Sequence, residues 1–143
     1  MISNAIEDKP LPIYGDGMQI RDWLYVEDHC RAIFSVLEKG RAGEVYNIGG
    51  SMALPNVEVV KQILAATGKP ESLMVTVTDR PGHDRRYALS SEKLEHETGW
   101  KPIVPFPEGL AKTIAWYREN HEWVARVQSG EYQKYYESNY ANR

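Results

Sequence analysis

The sequence predicts one small domain that mixes helices and strands, an α/β chain of the α+β type. The 143 residues are 42% hydrophobic and 26% charged, an ordinary globular composition with length enough for a single core. Strand-like and helix-like segments follow one another without the steady alternation of a complete doubly wound sheet. The chain shows no internal repeat that would suggest a stacked array.

The first third of the chain predicts a helix end followed by a β-hairpin. Met1–Ile6 has the pattern of a last helical turn, and Pro10 disfavours its continuation. Leu11–Tyr14 is expected to be extended, Gly15-Asp16-Gly17 to turn, and Gln19–Val26 to form the second strand, rich in aromatic and branched residues.

A helix over Glu27–Lys39 is predicted by apolar residues spaced at i, i+3, i+4 and i+7, with Gly40 ending it. This spacing indicates a buried face, and the single cysteine on it is therefore expected to be a buried, inert thiol. The apolar face consists of Cys30, Ile33, Phe34 and Leu37.

The middle of the chain predicts two further strands around a helix. Glu44–Ile48 is expected to be a short strand, after which Asn56 caps a helix through Ala66 with Gly68 behind it. Leu73–Val77 is predicted to be the next strand.

The last part of the chain is predicted to be mainly helical. After a short extended piece, Ser90 or Ser91 is expected to cap a helix over Glu92–Thr98, ended by Gly99. Pro107 suits the first position of a helix that runs to about Asn120. The tail, residues 121–143, is too aromatic for a solvated linker, so we expect it to pack on the domain or on a partner.

Charge and cysteine content narrow the possible partners and compartment. The net charge of −3 gives no global positive field, which argues against nucleic acid or an anionic membrane as the main partner. One cysteine excludes an internal disulfide framework. Without a predicted membrane span or signal peptide, the expected location is the cytoplasm.

Known catalytic and cofactor motifs are absent or incomplete in the sequence. Gly15-Asp16-Gly17 lacks a glycine at Ile20 and precedes a strand, so a dinucleotide fingerprint is rejected. Gly49-Gly50 lies between a strand and a helix, where a plain turn is the commoner explanation than a ligand loop. The histidines have no ligand-like spacing, and no metal site is predicted.

The most informative stretch is the loop Thr78–Tyr87, which gathers three of the seventeen Lys and Arg residues and one of four His around a Pro-Gly turn. Guanidinium groups match phosphate oxygens, so Arg80 and Arg21 could clamp a diphosphate while Tyr14 and the Pro12 ring flank a planar base. Surface ion pairs and hairpin aromatics explain the same residues equally well on these facts alone.

Several blocks, in this order, resemble the dTDP-glucose 4,6-dehydratases of the extended short-chain dehydrogenase family. They run Pro10-Leu11-Pro12-Ile13-Tyr14-Gly15, Arg21-Asp22-Trp23-Leu24-Tyr25-Val26-Glu27-Asp28-His29, Tyr46-Asn47-Ile48-Gly49-Gly50, Asp79-Arg80-Pro81-Gly82-His83-Asp84-Arg85-Arg86-Tyr87 and Gly99-Trp100-Lys101-Pro102.

The resemblance implies a C-terminal substrate-binding domain, residues 1–143, of an NAD-dependent lyase of deoxysugar and dTDP-rhamnose biosynthesis. In that family an N-terminal Rossmann domain binds NAD and supplies the catalytic Tyr and Lys. Neither the Gly-rich loop nor a Tyr-x-x-x-Lys pair has a counterpart in this sequence. The resemblance therefore predicts no catalytic residue, no NAD binding and no turnover by the chain alone.

The resemblance also implies which residues bind dTDP-glucose or dTDP. Pro12 and Tyr14 would contact the thymine, and Arg21 and Arg80 the diphosphate. The remaining implied contacts are Asn56 and His83 to the nucleotide and Tyr140 closing over the substrate. The alternative is a stand-alone binding module that self-associates, a homo-oligomer, or pairs with a full-length partner.

Overall fold

The computed structural model describes residues 1–130 of the chain. The helices are α1 (Ile2–Ile6), α2 (Val26–Lys39), α3 (Asn56–Thr67), α4 (Glu92–Thr98), α5 (Phe106–Glu119) and α6 (His121–Gln128). The strands are β1 (Leu11–Tyr14), β2 (Ile20–Asp22), β3 (Ala53–Pro55) and β4 (Met74–Val77). This mixture confirms the predicted α/β class.

Two separate two-stranded sheets replace the predicted hairpin. β1 pairs in parallel with β4, placing Leu11 opposite Met74, and β2 pairs antiparallel with β3, placing Arg21 opposite Leu54. The hairpin prediction was wrong because each of the two strands takes its partner from later in the chain, β1 from β4 and β2 from β3.

The main core lies where α1, β1, α3 and α5 meet. Leu11, Ile13, Val60 and Leu64 are all buried in it. Leu11 and Ile13 are two residues apart on β1, and Val60 and Leu64 are four residues apart on α3. Each pair therefore lies on one face of its element, and these two faces pack against each other. A second cluster joins α2, α4 and the segment after α4 through Ala32, Leu94 and Trp100.

Helix α2 begins one residue before the predicted start and ends at the predicted Lys39, but the predicted face is not the buried one. We call Val26, Cys30, Ile33, Phe34 and Leu37 the outer face of α2. Phe34 is 58% exposed, Leu37 is 79% exposed, and Cys30 is exposed, so the expectation of a buried thiol was wrong. The opposite side of the helix packs instead, because Asp28 and Ala32 are fully buried there.

The segment Glu44–Ile48 is irregular rather than the predicted strand. Among residues 1–130 no strand lies beside it to complete a ladder, and its Tyr46 and Ile48 side chains pack on the second cluster. Residues 53–55, for which the sequence predicted no strand, pair with β2 as β3.

The glycines predicted to end α3 and α4 do so, whereas Asn56 and Ser91, both predicted as N-terminal caps, make no capping hydrogen bond through their side chains. Gly68 and Gly99 end α3 and α4 in the left-handed conformation, as predicted. Asn56 is the first residue of α3 and not its cap, since Pro55 holds that position. Ser91 does hold the N-cap of α4, but its hydroxyl bonds to Gly49 instead of the helix.

The chain leaves α5 directly into α6. The two helices meet through Trp116 and Trp123, whose ring centroids lie 5.3 Å apart. The packing predicted for the tail beyond residue 130 lies outside the described residues. No helix in the described part is long and apolar enough to cross a membrane.

Candidate functional site

The loop Thr78–Tyr87 follows β4 and lies against the start of β2. The Ile20 N–H donates to the Arg85 carbonyl at 2.9 Å, and the Tyr87 N–H donates to the Ile20 carbonyl at 3.0 Å. The Arg85 guanidinium donates to Asp16 at 2.8 Å. These bonds hold the cationic loop beside the turn that ends β1, which places the predicted loop and the predicted turn in one site.

Asp79 is the centre of the hydrogen bonds inside this site. Its carboxylate accepts from Gln19 Nε2 at 2.9 Å, from the Arg80 backbone N–H at 2.9 Å and from His83 Nδ1 at 2.6 Å. The hydrogen bond to His83, followed by that to the Arg80 backbone, holds the pKa of Asp79 below its usual value against the opposing effect of burial. The carboxylate is therefore ionised at neutral pH.

Tyr14 and His83 form one wall of the site. The rings meet edge to face with centroids 6.1 Å apart and planes at 87°. The His83 side chain is only 8% exposed, whereas Tyr14 is 47% exposed. Tyr14 therefore offers an aromatic face to a ligand, while His83 fixes that ring from behind through its bond to Asp79.

Arg21 and Arg80 are held very differently. The Arg21 guanidinium donates to the carbonyls of Ile20 at 2.7 Å and Asp84 at 3.0 Å, and it lies 4.6 Å from the centre of the Tyr87 ring. Arg80 is exposed, and its guanidinium makes no hydrogen bond or ion pair with residues 1–130. Arg21 is pre-positioned, and Arg80 is available to an anion.

Tyr87 contacts Arg21 and is influenced by the charge of both arginines. Its hydroxyl donates to Asp84, which is the main reason that its pKa lies above the ordinary value, and burial adds to the effect. Arg21 and Arg80 both act in the opposite direction through their charge. The positive charges of Arg21 and Arg80 therefore act on the same side chain.

A cavity of about 830 Å³ opens between β1, α3 and α5. Pro12, Tyr14 and Asn56 line it, and so does Gln19. Arg21, Arg80 and His83 lie outside this lining, on the loop side. The structure therefore divides the predicted residues between an apolar cavity and a cationic loop that share Tyr14, while Tyr140 lies outside the described residues.

Gly49 and Gly50 are packed against their own chain and do not form a ligand loop. A Cβ on Gly50 would lie 1.9 Å from the Trp23 carbonyl oxygen, and one on Gly49 would lie 2.5 Å from Asp22 Oδ2. The Asp22 carboxylate accepts the N–H groups of Gly50 at 2.9 Å and Met52 at 3.0 Å. With these donors used internally, the residues present do not fit a dinucleotide site.

Sequence reasoning missed Gln19 and Asp79 as site residues. Gln19 is 2% exposed. Its place two residues before Arg21 on a predicted strand puts the two side chains on the same face of that strand, and this could have suggested Gln19 as a site residue. Among residues 1–130, Gln19 Oε1 and Trp23 Nε1 are buried side-chain atoms without a hydrogen-bond partner. The same part of the chain holds no group of three or more potential metal ligands.

Comparison with known proteins identifies the family. The family model described as GDP-mannose 4,6 dehydratase matches residues 1–113. The chain belongs to this family. Within the GDP-mannose 4,6 dehydratase family, the chain is 49% identical over its whole length to the dTDP-glucose 4,6-dehydratase of Salmonella typhimurium, of which it covers 42%. It is 51% identical over 92% of its length to that of Xanthomonas campestris pv. campestris, of which it covers 40%.

Solved structures of dTDP-glucose 4,6-dehydratases also match this chain in fold and sequence. The dTDP-glucose 4,6-dehydratase of Streptomyces venezuelae, with NAD and TYD bound, matches 85% of the chain with a TM-score of 0.82 and 47% identity. The enzyme of Bacillus anthracis in complex with NAD matches 85% with a TM-score of 0.80 and 54% identity. The chain covers 38% and 39% of those two proteins.

These relatives confirm the resemblance to the dTDP-glucose 4,6-dehydratases that the motifs predicted. A UDP-glucose 4-epimerase of Thermotoga maritima, solved with UDP-glucose, also matches 82% of the chain at 31% identity and a TM-score of 0.78. The fold is therefore shared with sugar-nucleotide epimerases. The chain spans about two fifths of the length of the curated dehydratases it matches.

Proposed function

We propose that this chain is the sugar-nucleotide-binding part of a dTDP-glucose 4,6-dehydratase, and that it binds dTDP-glucose or dTDP without converting it. The observation that carries the proposal is the meeting of the half-exposed Tyr14 with the cationic loop. An aromatic face and a positive field on adjoining walls match a base joined to a diphosphate.

The two arginines would contact the diphosphate in different ways. Arg21 is fixed by the Ile20 and Asp84 carbonyls and so presents its charge in one place, which lowers the entropy lost on binding. Arg80 is exposed and would reach the ligand from the loop, forming charge-assisted hydrogen bonds. The ionised Asp79 binds His83 and so keeps the Tyr14 wall in place.

Conversion of the sugar needs a hydride acceptor, and the residues described do not fit NAD. We therefore derive no catalytic step from this chain, and we expect no product when the isolated chain is given NAD and dTDP-glucose. Binding and chemistry would lie on different parts of a full-length relative.

Calorimetric titration of the chain with dTDP and with inorganic phosphate tests the proposal. We expect dTDP to bind measurably more tightly than phosphate, because the base and the diphosphate are both recognised. Arg80→Ala and Arg21→Ala should each weaken dTDP binding by about 1.5 to 3 kcal/mol, the usual contribution of charge-assisted hydrogen bonds.

The matched control is Arg118→Ala, which removes an exposed arginine on α5 outside the loop and the cavity lining. It should leave dTDP binding unchanged. If dTDP binds no better than phosphate, or if all three substitutions weaken binding equally through net charge, the proposal is wrong.

The outer face of α2 supports a second candidate function, that of a module that pairs with itself or with a full-length partner. Ile33 and Phe34 are 52% and 58% exposed, and Leu37 is 79% exposed. Apolar surface gathered in this way normally marks an interface. The partner that would bury the outer face of α2 is either a second copy of this chain or the NAD-holding part of a full-length relative.

A further inference from the structure

Four residues on the outer face of α2 have the spacing of a helix that packs along a second helix. Val26, Cys30, Ile33 and Leu37 follow one another at intervals of four, three and four residues. Alternating intervals of three and four are the a and d pattern of a two-helix contact, in which one stripe faces the partner along the whole helix. We call these four residues the seam of α2.

Every residue of the seam is exposed in the single chain. Val26 is 64% exposed, Ile33 and Leu37 are more than half exposed, and Cys30 is exposed as well. Asp28, on the opposite side of the helix, is fully buried. The domain therefore holds α2 by its inner side, and the described part of the chain leaves the seam open to a partner.

The two ends of α2 carry opposite charges, which suits a second copy of the same helix running in the opposite direction. Glu27 lies in the first turn and Lys39 in the last turn, and both are exposed. Two antiparallel copies bring Glu27 of each to the end where Lys39 of the other lies, and their helix dipoles run in opposite directions, which is also favourable. Two parallel copies would place like charges together at both ends.

We propose that α2 pairs with α2 of a second copy of this chain, in antiparallel orientation about a two-fold axis through the middle of the seam. Val26 then lies opposite Leu37 of the second copy, and Cys30 lies opposite Ile33. A smaller side chain meets a larger one in each layer, which favours close packing. The inference rests on the second function proposed above, a module that pairs with itself, and adds which helices meet and in which direction.

The size and rigidity of α2 determine how the pairing should respond to protein concentration. The helix has 14 residues and is about 21 Å long, so one pair of helices makes a small contact that forms reversibly. The hydrogen bonds of Asp28 already fix the helix in the single chain, so little ordering is lost when two copies meet. Self-association should therefore increase with concentration without a change in helix content.

Disulfide trapping with single-cysteine variants of the whole chain tests the orientation. Cys30→Ser is made first, because the chain has one cysteine, and Val26→Cys or Leu37→Cys is then added to it separately. In the antiparallel pair position 26 faces position 37, whereas the two copies of either position lie about 16 Å apart along the helix, too far for a disulfide. An equal mixture of the two variants should therefore cross-link at least about 10-fold faster under mild oxidation than either variant alone.

Val127→Cys, in the same Cys30→Ser chain, is the matched control. Val127 is 53% exposed and lies on α6, outside the seam. Mixed with the Leu37→Cys variant, it should cross-link no faster than either variant does alone, because these two thiols meet only by collision. Light scattering of the Cys30→Ser chain over a range of concentrations measures self-association without any thiol.

The outcomes separate the arrangement of the pair from self-association itself. Faster cross-linking in the mixture of Val26→Cys and Leu37→Cys alone supports the antiparallel seam. Either variant cross-linking by itself as fast as the mixture overturns that orientation. A chain that self-associates in light scattering but shows no faster cross-linking in the mixture overturns the seam and leaves self-pairing standing. A chain that is monomeric at every concentration overturns both and leaves the NAD-holding part of a full-length relative as the partner.

Discussion

Asp79 connects the parts of the candidate site at the level of single residues. One carboxylate orients the Gln19 amide, holds the His83 ring against Tyr14 and accepts the Arg80 backbone N–H. Removing its charge should therefore disturb both the cavity wall and the loop. The effect reaches residues that lie far apart in sequence, since Gln19 and Asp79 are separated by 60 positions.

We predict a pH-dependent loss of stability that depends on Asp79. Because its pKa is lowered in the folded chain, mainly by His83, its stabilising effect is complete above the ordinary value of 3.8 and is lost as the pH falls through the folded value. Thermal unfolding should show the wild type more stable than Asp79→Asn at about pH 7 and no more stable well below the folded pKa.

Glu119→Gln, at an exposed carboxylate on α5, is the control for that experiment and should show no such convergence. A difference between wild type and Asp79→Asn that stays constant down to the lowest pH would show that the carboxylate charge is not the cause.

At the level of elements, α2 is attached to the domain by a buried carboxylate. Asp28 is fully buried and accepts the backbone N–H groups of Ile103 at 3.0 Å and Val104 at 2.9 Å, besides an ion pair with Arg31. The Trp100 indole donates to the Asp28 carbonyl at 3.1 Å. These bonds join α2 to the segment between α4 and α5 and so decide which face of the helix is buried.

We predict that Asp28→Ala lowers the free energy of unfolding by about 2 to 4 kcal/mol, because two partly buried N–H groups lose their acceptor and a cavity forms. Urea unfolding followed by circular dichroism measures this change. Glu27→Ala, at the exposed neighbouring carboxylate, should change stability by less than about 0.5 kcal/mol. Equal effects of the two substitutions would contradict the anchoring role of Asp28.

At the level of the whole molecule, the outer face of α2 is an exposed apolar surface to which the proposed nucleotide site gives no role. Its residues keep the spacing of a helix face that packs against another element. The described residues do not cover it, and the chain spans only about two fifths of its relatives' length. The face is therefore where we expect the chain to meet another polypeptide.

We predict that the isolated chain self-associates through this face. Light scattering should give a mass above the 16.3 kDa of one chain, and Leu37→Glu should shift the mass towards that value by placing a charge in the interface. Val127→Glu, at a half-exposed position on α6, should leave the mass unchanged. A wild-type monomer would count against self-association and favour the NAD-holding part of a relative as the cover.

The sequence by itself determined the helices, the loop chemistry and the family. Apolar spacing and glycine signals located α2, α3 and α5 because these depend on contacts within a few residues. The motifs around Arg21 and Asp79–Tyr87 indicated a sugar-nucleotide site for the same reason, since they are contiguous in the chain.

Only the tertiary structure decided which strands pair, which face of α2 is buried and which atoms of the site are left without partners. Strand pairing depends on residues such as Leu11 and Met74 that meet across more than sixty positions, and no local pattern specifies that choice. The side of α2 that carries Asp28 is buried in place of the apolar face, because the Asp28 carboxylate accepts hydrogen bonds from two backbone N–H groups. Asp79 became a residue of the candidate site for a related reason: folding brings Gln19, which lies 60 positions earlier in the chain, within hydrogen-bonding distance of its carboxylate.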